Sequence, residues 1–272
     1  MDTSKVAFSL LVPYFAQRAM NLRRCFAPRQ LLFLLAAGLL TSGARLATGQ
    51  DTITLRGGQP QQATIQGVTS EGVKIQMGDA VMVQPFSNIV AVTMNPPPDF
   101  TAAEAAYESG DLVRALKLTK AVITNFRALP TDWAKAAMIM LGDIDMALGG
   151  TTEAQAAYKD YQAAYPGVSS DEMNVGLANI DLANNDSAAA AAKLQPVLDS
   201  ALKNRTPPKA TAALFGRAFY LSGKIKEKAG DFPGALEDYL RTVTLFPEDA
   251  IAAASAQAGA DALRKAHGTV AP

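Results

Sequence analysis

Thiol, imidazole and indole groups are scarce in this sequence, which holds one cysteine (Cys25), one histidine (His267) and one tryptophan (Trp133) in 272 residues. A single cysteine excludes an internal disulfide and a cysteine-based zinc set. A single histidine two residues short of "VAP" at the C-terminus gives no basis for a Ser-His-Asp arrangement, and His267 is read as a solvated side chain. Neither a G-x-x-x-x-G-K-[ST] nor a G-x-G-x-x-G stretch offers a phosphate cradle. Asp143 and Asp145 stand two apart in a helical stretch, diverge, and do not form a carboxylate pair. The expectation is a chain that is not an enzyme and uses no cofactor and no metal. Formal net charge is zero, with 25 basic and 25 acidic residues, so the sequence lacks the basic excess that marks nucleic-acid binding. No apolar run reaches the eighteen or so residues needed to span a bilayer.

The longest apolar run, "LLFLLAAGLL" from Leu31 to Leu40, has another reading. Arg23, Arg24 and Arg29 precede it, and Ala47 and Gly49 follow it at the small positions that a signal peptidase requires. Residues 1–49 are therefore expected to be a secretory signal peptide, with Met20 as a start that gives an ordinary length and Met1 as the alternative. The other outcome is an anchor left by an uncleaved signal. The segment contains six basic residues (Lys5, Arg18, Arg23, Arg24, Arg29, Arg45) and one acid, Asp2; its removal leaves 19 basic and 24 acidic residues, a net charge of −5. Cys25 leaves with it, and since it precedes the apolar run it is not a lipidation site. The expected location is the periplasm or the extracellular space, with no span of the membrane after cleavage.

From residue 50 to 95 the apolar period is two. "TITL", "GVKIQM", "AVMVQ" and "IVAVTM" alternate, turning Ile53, Leu55, Val73, Ile75, Met77, Val81, Val83, Val90, Val92 and Met94 inward. Gly57-Gly58, Thr69–Gly72 and Gly78-Asp79 supply turns. Five strands are expected, about Thr52–Arg56, Gln62–Val68, Gly72–Met77, Ala80–Gln84 and Ile89–Met94, closing into a small barrel, with "PFSNI" as a single tight turn before the last. The rhythm resembles the Sm-like and SH3-like barrels. Pro96, Pro97 and Pro98 then form a break, since consecutive prolines carry neither strand nor helix through.

Over residues 99–272 the period becomes 3.6 and alanine dominates. "GDIDMALGG", "ANIDLANND" and "GKIKEKAGD" align, with Ile144, Ile180 and Ile225 in register; the first step is 36 residues and the second 45, an insertion of nine assigned to Asn204–Lys209. A helix–turn–helix period in the thirties denotes a solenoid. Paired helices approach closely only where facing residues are small. Gly142 and Gly223 on first helices, with Ala154 and Ala235 on second helices, are expected to supply that contact, and Tyr158 and Tyr239 to fill the groove one turn on. Tyr165-Pro166 and Phe246-Pro247 end the second helices, and Gly110-Asp111 and Gly230-Asp231 make interhelical turns. Lys226 is read as facing water, and Trp133, Met138 and Met140 as core.

At these positions the chain resembles the tetratricopeptide repeat family, as found in proteins of the bacterial envelope. Leu141-Gly142, Ala154, Tyr158 and Pro166 match one repeat, and Gly223, Ala235, Tyr239 and Pro247 match the last. Weaker repeats contain Ala103, Gly110, Ala115 and Phe126, and Ala178, Ala190 and Leu194, and a capping helix is expected from Glu248 or Asp249 to Ala266. One departure stands out: Asp145, Asp181 and Lys226 occupy the position where the family carries an aromatic. The expected fold is therefore mainly α, about four hairpins plus a cap behind a small β module.

The resemblance implies a concave groove lined by first helices. Carried onto this chain, its wall holds Ile139, Asp143 and Met146, then Val175, Asn179 and Leu182, then Tyr220, Lys224 and Glu227. Such a mixed wall suits an extended or helical peptide. Asp143 opposes a positive cluster, so no clamp for a peptide carboxylate is expected. The implied role is an exported, non-enzymatic scaffold or adaptor whose partner is another envelope protein. The alternatives are a self-assembling structural component and a binder of small molecules or glycans.

Overall fold

The computed structural model describes residues 51–204 and 206–268. The signal-peptide reading of residues 1–49 lies outside them. The described chain is mainly helical, with a small N-terminal sheet region followed by helices α1 (Pro98–Glu108), α2 (Leu112–Phe126), α3 (Asp132–Ala147), α4 (Thr151–Ala164), α5 (Asp171–Ala183), α6 (Ser187–Lys203), α7 (Lys209–Lys228), α8 (Phe232–Leu245) and α9 (Ala250–His267).

The sheet region departs from the expected barrel. Six strands form two open three-stranded sheets: β1 (Thr52–Leu55), β2 (Gln61–Gln62) and β6 (Ile89–Thr93) in the order β2-β1-β6, and β3 (Thr64–Thr69), β4 (Gly72–Met77) and β5 (Ala80–Gln84) in the order β3-β4-β5. The expected second strand is broken at Ala63. Ala63 donates its N–H to the Asp51 carbonyl at 3.0 Å, and Ile65 donates to the Asp51 carboxylate at 3.1 Å, so the chain leaves one sheet and enters the other there. Phe86–Asn88 is a short 3₁₀ turn, as the sequence suggests, but β5 and β6 on either side of it do not pair. Ile53, Ile65, Val73, Ile75 and Val92 turn inward; Val81, Val83 and Val90 do not, and are 52%, 38% and 64% exposed. The alternation overstates their burial because β5, which carries Val81 and Val83, and β6, which carries Val90, are both edge strands with too little opposite them to cover both faces.

The apolar core runs across the prolines. Pro98 is the first residue of α1, where its missing N–H leaves nothing unpaired. Ile53, Ile65, Val73, Ile75 and Val92 share one cluster with Phe100, Ala103, Val122, Leu129 and Trp133. Trp133 fastens this junction: its Nε1–H donates to the Met94 carbonyl at 3.0 Å, and its ring meets Phe126 edge-on at 5.3 Å.

Consecutive helices pair as hairpins through one recurrent turn. Gly110, Gly149, Asn185 and Gly230 follow α1, α3, α5 and α7 with φ of 78°, 84°, 66° and 81°. Glycine, and asparagine among other residues, tolerates this left-handed conformation. In each turn two N–H groups fold back on the helix end, as in Gly110 to the Tyr107 carbonyl at 3.0 Å and Asp111 to the Ala106 carbonyl at 2.9 Å. Asp111, Asp186 and Asp231 then cap the next helix by accepting from Arg114, Ala189 and Gly234. The extra residues assigned to Asn204–Lys209 do not lengthen that loop, which spans five residues (204–208) against six (165–170) between α4 and α5; they lie in the helices, since α7 has 20 residues against 13 in α5 and α6 has 17 against 14 in α4.

The close contacts involve the tyrosines more than the alanine faces. A Cβ on Gly142 would stand 2.5 Å from the Tyr158 ring, and one on Gly176, in the next hairpin's α5, would stand 2.1 Å from the Tyr158 hydroxyl. Tyr239 is held in the same way between Gly223 of α7 and Gly259 of α9, at 2.6 and 2.8 Å. Each ring is thus wedged between its own hairpin and the next. Ala154 and Ala235 are fully buried beside them. Tyr165 donates its hydroxyl to the Leu129 carbonyl at 2.8 Å, and Phe246 stacks on Phe219 at 5.7 Å, each tying a helix end to the body; Pro166 and Pro247 follow, exposed.

One expectation about a charged side chain fails. Lys226 does not simply face water: its Nζ lies 2.6 Å from a carboxylate oxygen of Asp238, whose side chain is 1% exposed and also accepts from Ser222 and Arg241. A buried carboxylate demands such partners, and this position holds an ion pair. His267 is exposed, as expected, and its ring stacks on Phe232 with centroids 3.8 Å apart.

Gly142→Ala gains up to about 1 kcal/mol of helix propensity but overfills the contact at about 1–3 kcal/mol, because Tyr158, pinned on its far side by Gly176, cannot retreat. The expected outcome in denaturant titration is a net loss of stability, and Ala235→Leu should lose at least as much.

Candidate functional site

Placing the first helices of successive hairpins side by side brings one face of each to a common hollow. On α7 the face is read by spacing: Arg217, Tyr220, Lys224 and Glu227 fall at i, i+3, i+7 and i+10. The matching faces are Asp143 and Met146 on α3 and Val175, Asn179 and Leu182 on α5. Together with Tyr107 of α1 and Ile251 of α9 they line a cavity of about 930 Å³. All seven residues assigned to partner contact from the sequence, Asp143, Met146, Asn179, Leu182, Tyr220, Lys224 and Glu227, stand on this one cavity.

Their availability differs. Leu182 is buried and forms floor with Val175 and Met146. Glu227 accepts from the Tyr239 hydroxyl at 2.6 Å, so its charge is engaged in the hairpin wedge. Lys224 lies over the Tyr220 ring, 5.6 Å from its centroid, a cation–π arrangement that leaves the ammonium toward the hollow. Asn179, Tyr220 and Lys224 are the groups that can meet a ligand. Ile139 is buried and lines an adjoining cavity of about 990 Å³ on the far side of Asp143 and Arg217.

The seam between the two cavities is a charge cluster that sequence reasoning missed. Asp143, 11% exposed at its side chain, pairs with the Arg217 guanidinium and accepts from the Tyr158 hydroxyl at 2.7 Å. Arg217 Nε lies 3.5 Å from Asp249, which also caps α9 by accepting from the Ala252 N–H at 2.9 Å. Asp143 is therefore neutralised rather than projecting a bare negative field. Burial opposes the Arg217 charge, but Asp143, Tyr107 and Asp249 more than compensate and hold its proton tighter than usual. Burial pushes Tyr158 and Tyr107 well above the ordinary tyrosine range, with Asp143 adding to both. The signal for Arg217 was present: it is the one charge in the run from Ala210 to Ser222, three residues before Tyr220 on the same face.

No protein-family model and no curated protein matches this sequence.

Arg217→Met should cost about 3–5 kcal/mol, because two largely buried carboxylates lose their shared cation. Arg114→Met, on the exposed side of α2, should change little, and equal effects in denaturant titration would refute the role of the cluster. A second outcome concerns alkali. Tyr107, Tyr158, Tyr165 and Tyr239 all have pKa values raised above the ordinary 10.0, chiefly by burial. The unfolded chain then releases these protons first, so their contribution is complete below pH 10 and is lost as pH climbs toward the folded values. Stability should fall by up to about 1.4 kcal/mol per pH unit for each such group above pH 10, and less steeply in Tyr158→Phe.

Proposed function

We propose that the chain is an exported, non-enzymatic adaptor that binds another protein of the bacterial envelope through the groove on its first helices. In this reading the hairpins are tetratricopeptide-like repeats forming a solenoid, and the β strands form a small Sm-like or SH3-like module in front of it. The observation that carries the reading is the meeting of all seven candidate contact residues on one hollow of about 930 Å³. The recurrence of one turn geometry at Gly110, Gly149, Asn185 and Gly230 supports the repeat. Export rests on the basic head, apolar centre and small-residue exit of residues 1–49. Among the described residues no helix is long and apolar enough to cross a membrane.

Self-assembly through the sheet region is a second reading, favoured by the exposed apolar side chains of the edge strand β5, Val81, Met82 and Val83. A monomer in light scattering at micromolar concentration argues against it.

A photo-crosslinking residue placed at Asn179 or Lys224 in living cells should capture a discrete partner, whereas the same residue at Arg114 should not. Identical products from all three positions, or none above background, overturn the groove reading.

A further inference from the structure

The groove is electrically lopsided. In the half that carries Asn179 and Lys224, the cations Arg217, Lys224 and Lys228 match the acids Asp143, Glu227 and Asp249. The adjoining half, between α1, α3, the start of α5 and α7, does not balance. There Lys135 pairs with Asp132 at 3.2 Å, Lys209 with Glu108 at 3.0 Å, and Arg217 serves both Asp143 and Asp249. Glu104, Asp171, Glu172 and Glu248 line the same cavity with no cation paired to any of them among the described residues.

Two observations bear on what ligand this charge suits. Glu104, Asp171 and Glu172 are exposed to the cavity, while Glu248 is half-buried, with Oε2 shielded and without a hydrogen-bond partner among the described residues. The carboxylates are also dispersed: among the described residues no group of three acidic, histidine or cysteine side chains is close enough to hold a metal ion. A single small cation cannot answer them together. The ligand must carry its charges spread along its length, over a floor that includes Ile139, Met140 and Phe215.

We infer that the acidic half of the groove binds an extended peptide segment of the partner protein in which lysine or arginine alternates with apolar residues. The inference rests on the groove reading above and adds the chemistry of the occupant. Basic side chains reach Glu104 and Glu248, apolar ones lie on the floor, and the segment continues past Arg217 into the neutral half, whose lining adjoins at Tyr107, Asp143 and Ile251. A cavity of about 990 Å³ with this continuation suits several residues of peptide rather than a short amine. Burial and the neighbouring Glu108 raise the proton affinity of Glu104, and Lys209 offsets them only in part.

The test is fluorescence anisotropy of the full chain with a labelled, blocked Arg-Leu-Arg-Leu-Arg-Leu peptide, its Glu-Leu counterpart, and spermidine as competitor. The basic peptide should bind, weaken with salt, and lose at least about tenfold in affinity in Glu104→Gln/Glu248→Gln. Arg114→Gln, on the exposed side of α2 and outside both cavities, should stay within about twofold. The double variant should melt at or above the parent temperature, since it removes unpaired charge; Asp171→Asn/Glu172→Gln serves as a second pair should it fail to fold. Undiminished binding by a folded double variant, stronger binding of the acidic peptide, or displacement by spermidine at concentrations below those of the peptide overturns the inference. If the basic peptide fails while Asn179 and Lys224 still crosslink a partner in cells, this inference alone falls. If both fail, the groove reading falls with it.

Discussion

The arrangement of the helices depends on a tyrosine ring held between two glycines. Tyr158 lies on Gly142 of its own hairpin and Gly176 of the next, and Tyr239 repeats the arrangement with Gly223 and Gly259. A planar ring is a rigid spacer, and a glycine is the one residue that lets it reach the helix backbone. The pair sets both the separation within a hairpin and the stacking of one hairpin on the following one. It also creates an obligation, since a tyrosine hydroxyl taken from water needs a partner. That partner is a carboxylate on the preceding first helix, Asp143 for Tyr158 and Glu227 for Tyr239. The packing device therefore fixes charged side chains on the wall of the groove.

Asp143 shows the consequence. A carboxylate placed there by packing needs a cation as well as a hydroxyl, and Arg217 from α7 supplies it across the hollow. Arg217 in turn engages Asp249 at the start of α9. Three helices far apart in sequence are joined by one ionic seam, which divides the hollow into a balanced half and an acidic half. The Coulombic gain of such a cluster is set against the loss of hydration, so its contribution is greater to alignment than to net stability. An apolar plug would pack equally well but would not fix which carboxylate faces which cavity.

What the sequence made legible follows from what is local. Hairpin turns were readable because left-handed glycine and capping aspartate act within a few residues, as at Gly110-Asp111 and Gly230-Asp231. The candidate groove residues were readable because i, i+4, i+7 spacing places Ile139, Asp143 and Met146, and likewise Val175, Asn179 and Leu182, on one face. Properties that depend on distant partners were not. Lys226 has an unremarkable sequence context, and only the approach of α8 puts Asp238 beside it. Arg217 shows its helical face from spacing alone, but its two carboxylates stand 74 residues before it and 32 after. The sheet failed for the same reason. Period two identifies strands, and Val81, Val83 and Val90 obey it, yet whether a face is covered depends on what packs opposite, and among the described residues the edge strands β5 and β6 are left largely uncovered at these positions. Ala63 broke the second strand because Asp51 draws both Ala63 and Ile65, a contact that no alternation pattern encodes.

The two ends of the helical array explain why the sheets and α9 are present. A hairpin stacked on a neighbour leaves an apolar face wherever the neighbour is missing, and that face has to be covered. At the N-terminal end β3 lies directly on α2, so close that a Cβ on Gly67 would stand 3.1 Å from the Asn125 carbonyl, and Trp133 binds the last strand to α3. At the other end α9 closes over α8, with Ala256, Ala260 and Leu263 buried against Ala235, Leu236 and Tyr239. Gly259 of α9 receives the Tyr239 ring as Gly176 of α5 receives Tyr158, but no second helix follows α9 among the described residues. Both ends are thus shut by elements shaped to the same packing rule, and the face left open in between is the one formed by the first helices, where the ionic seam lies.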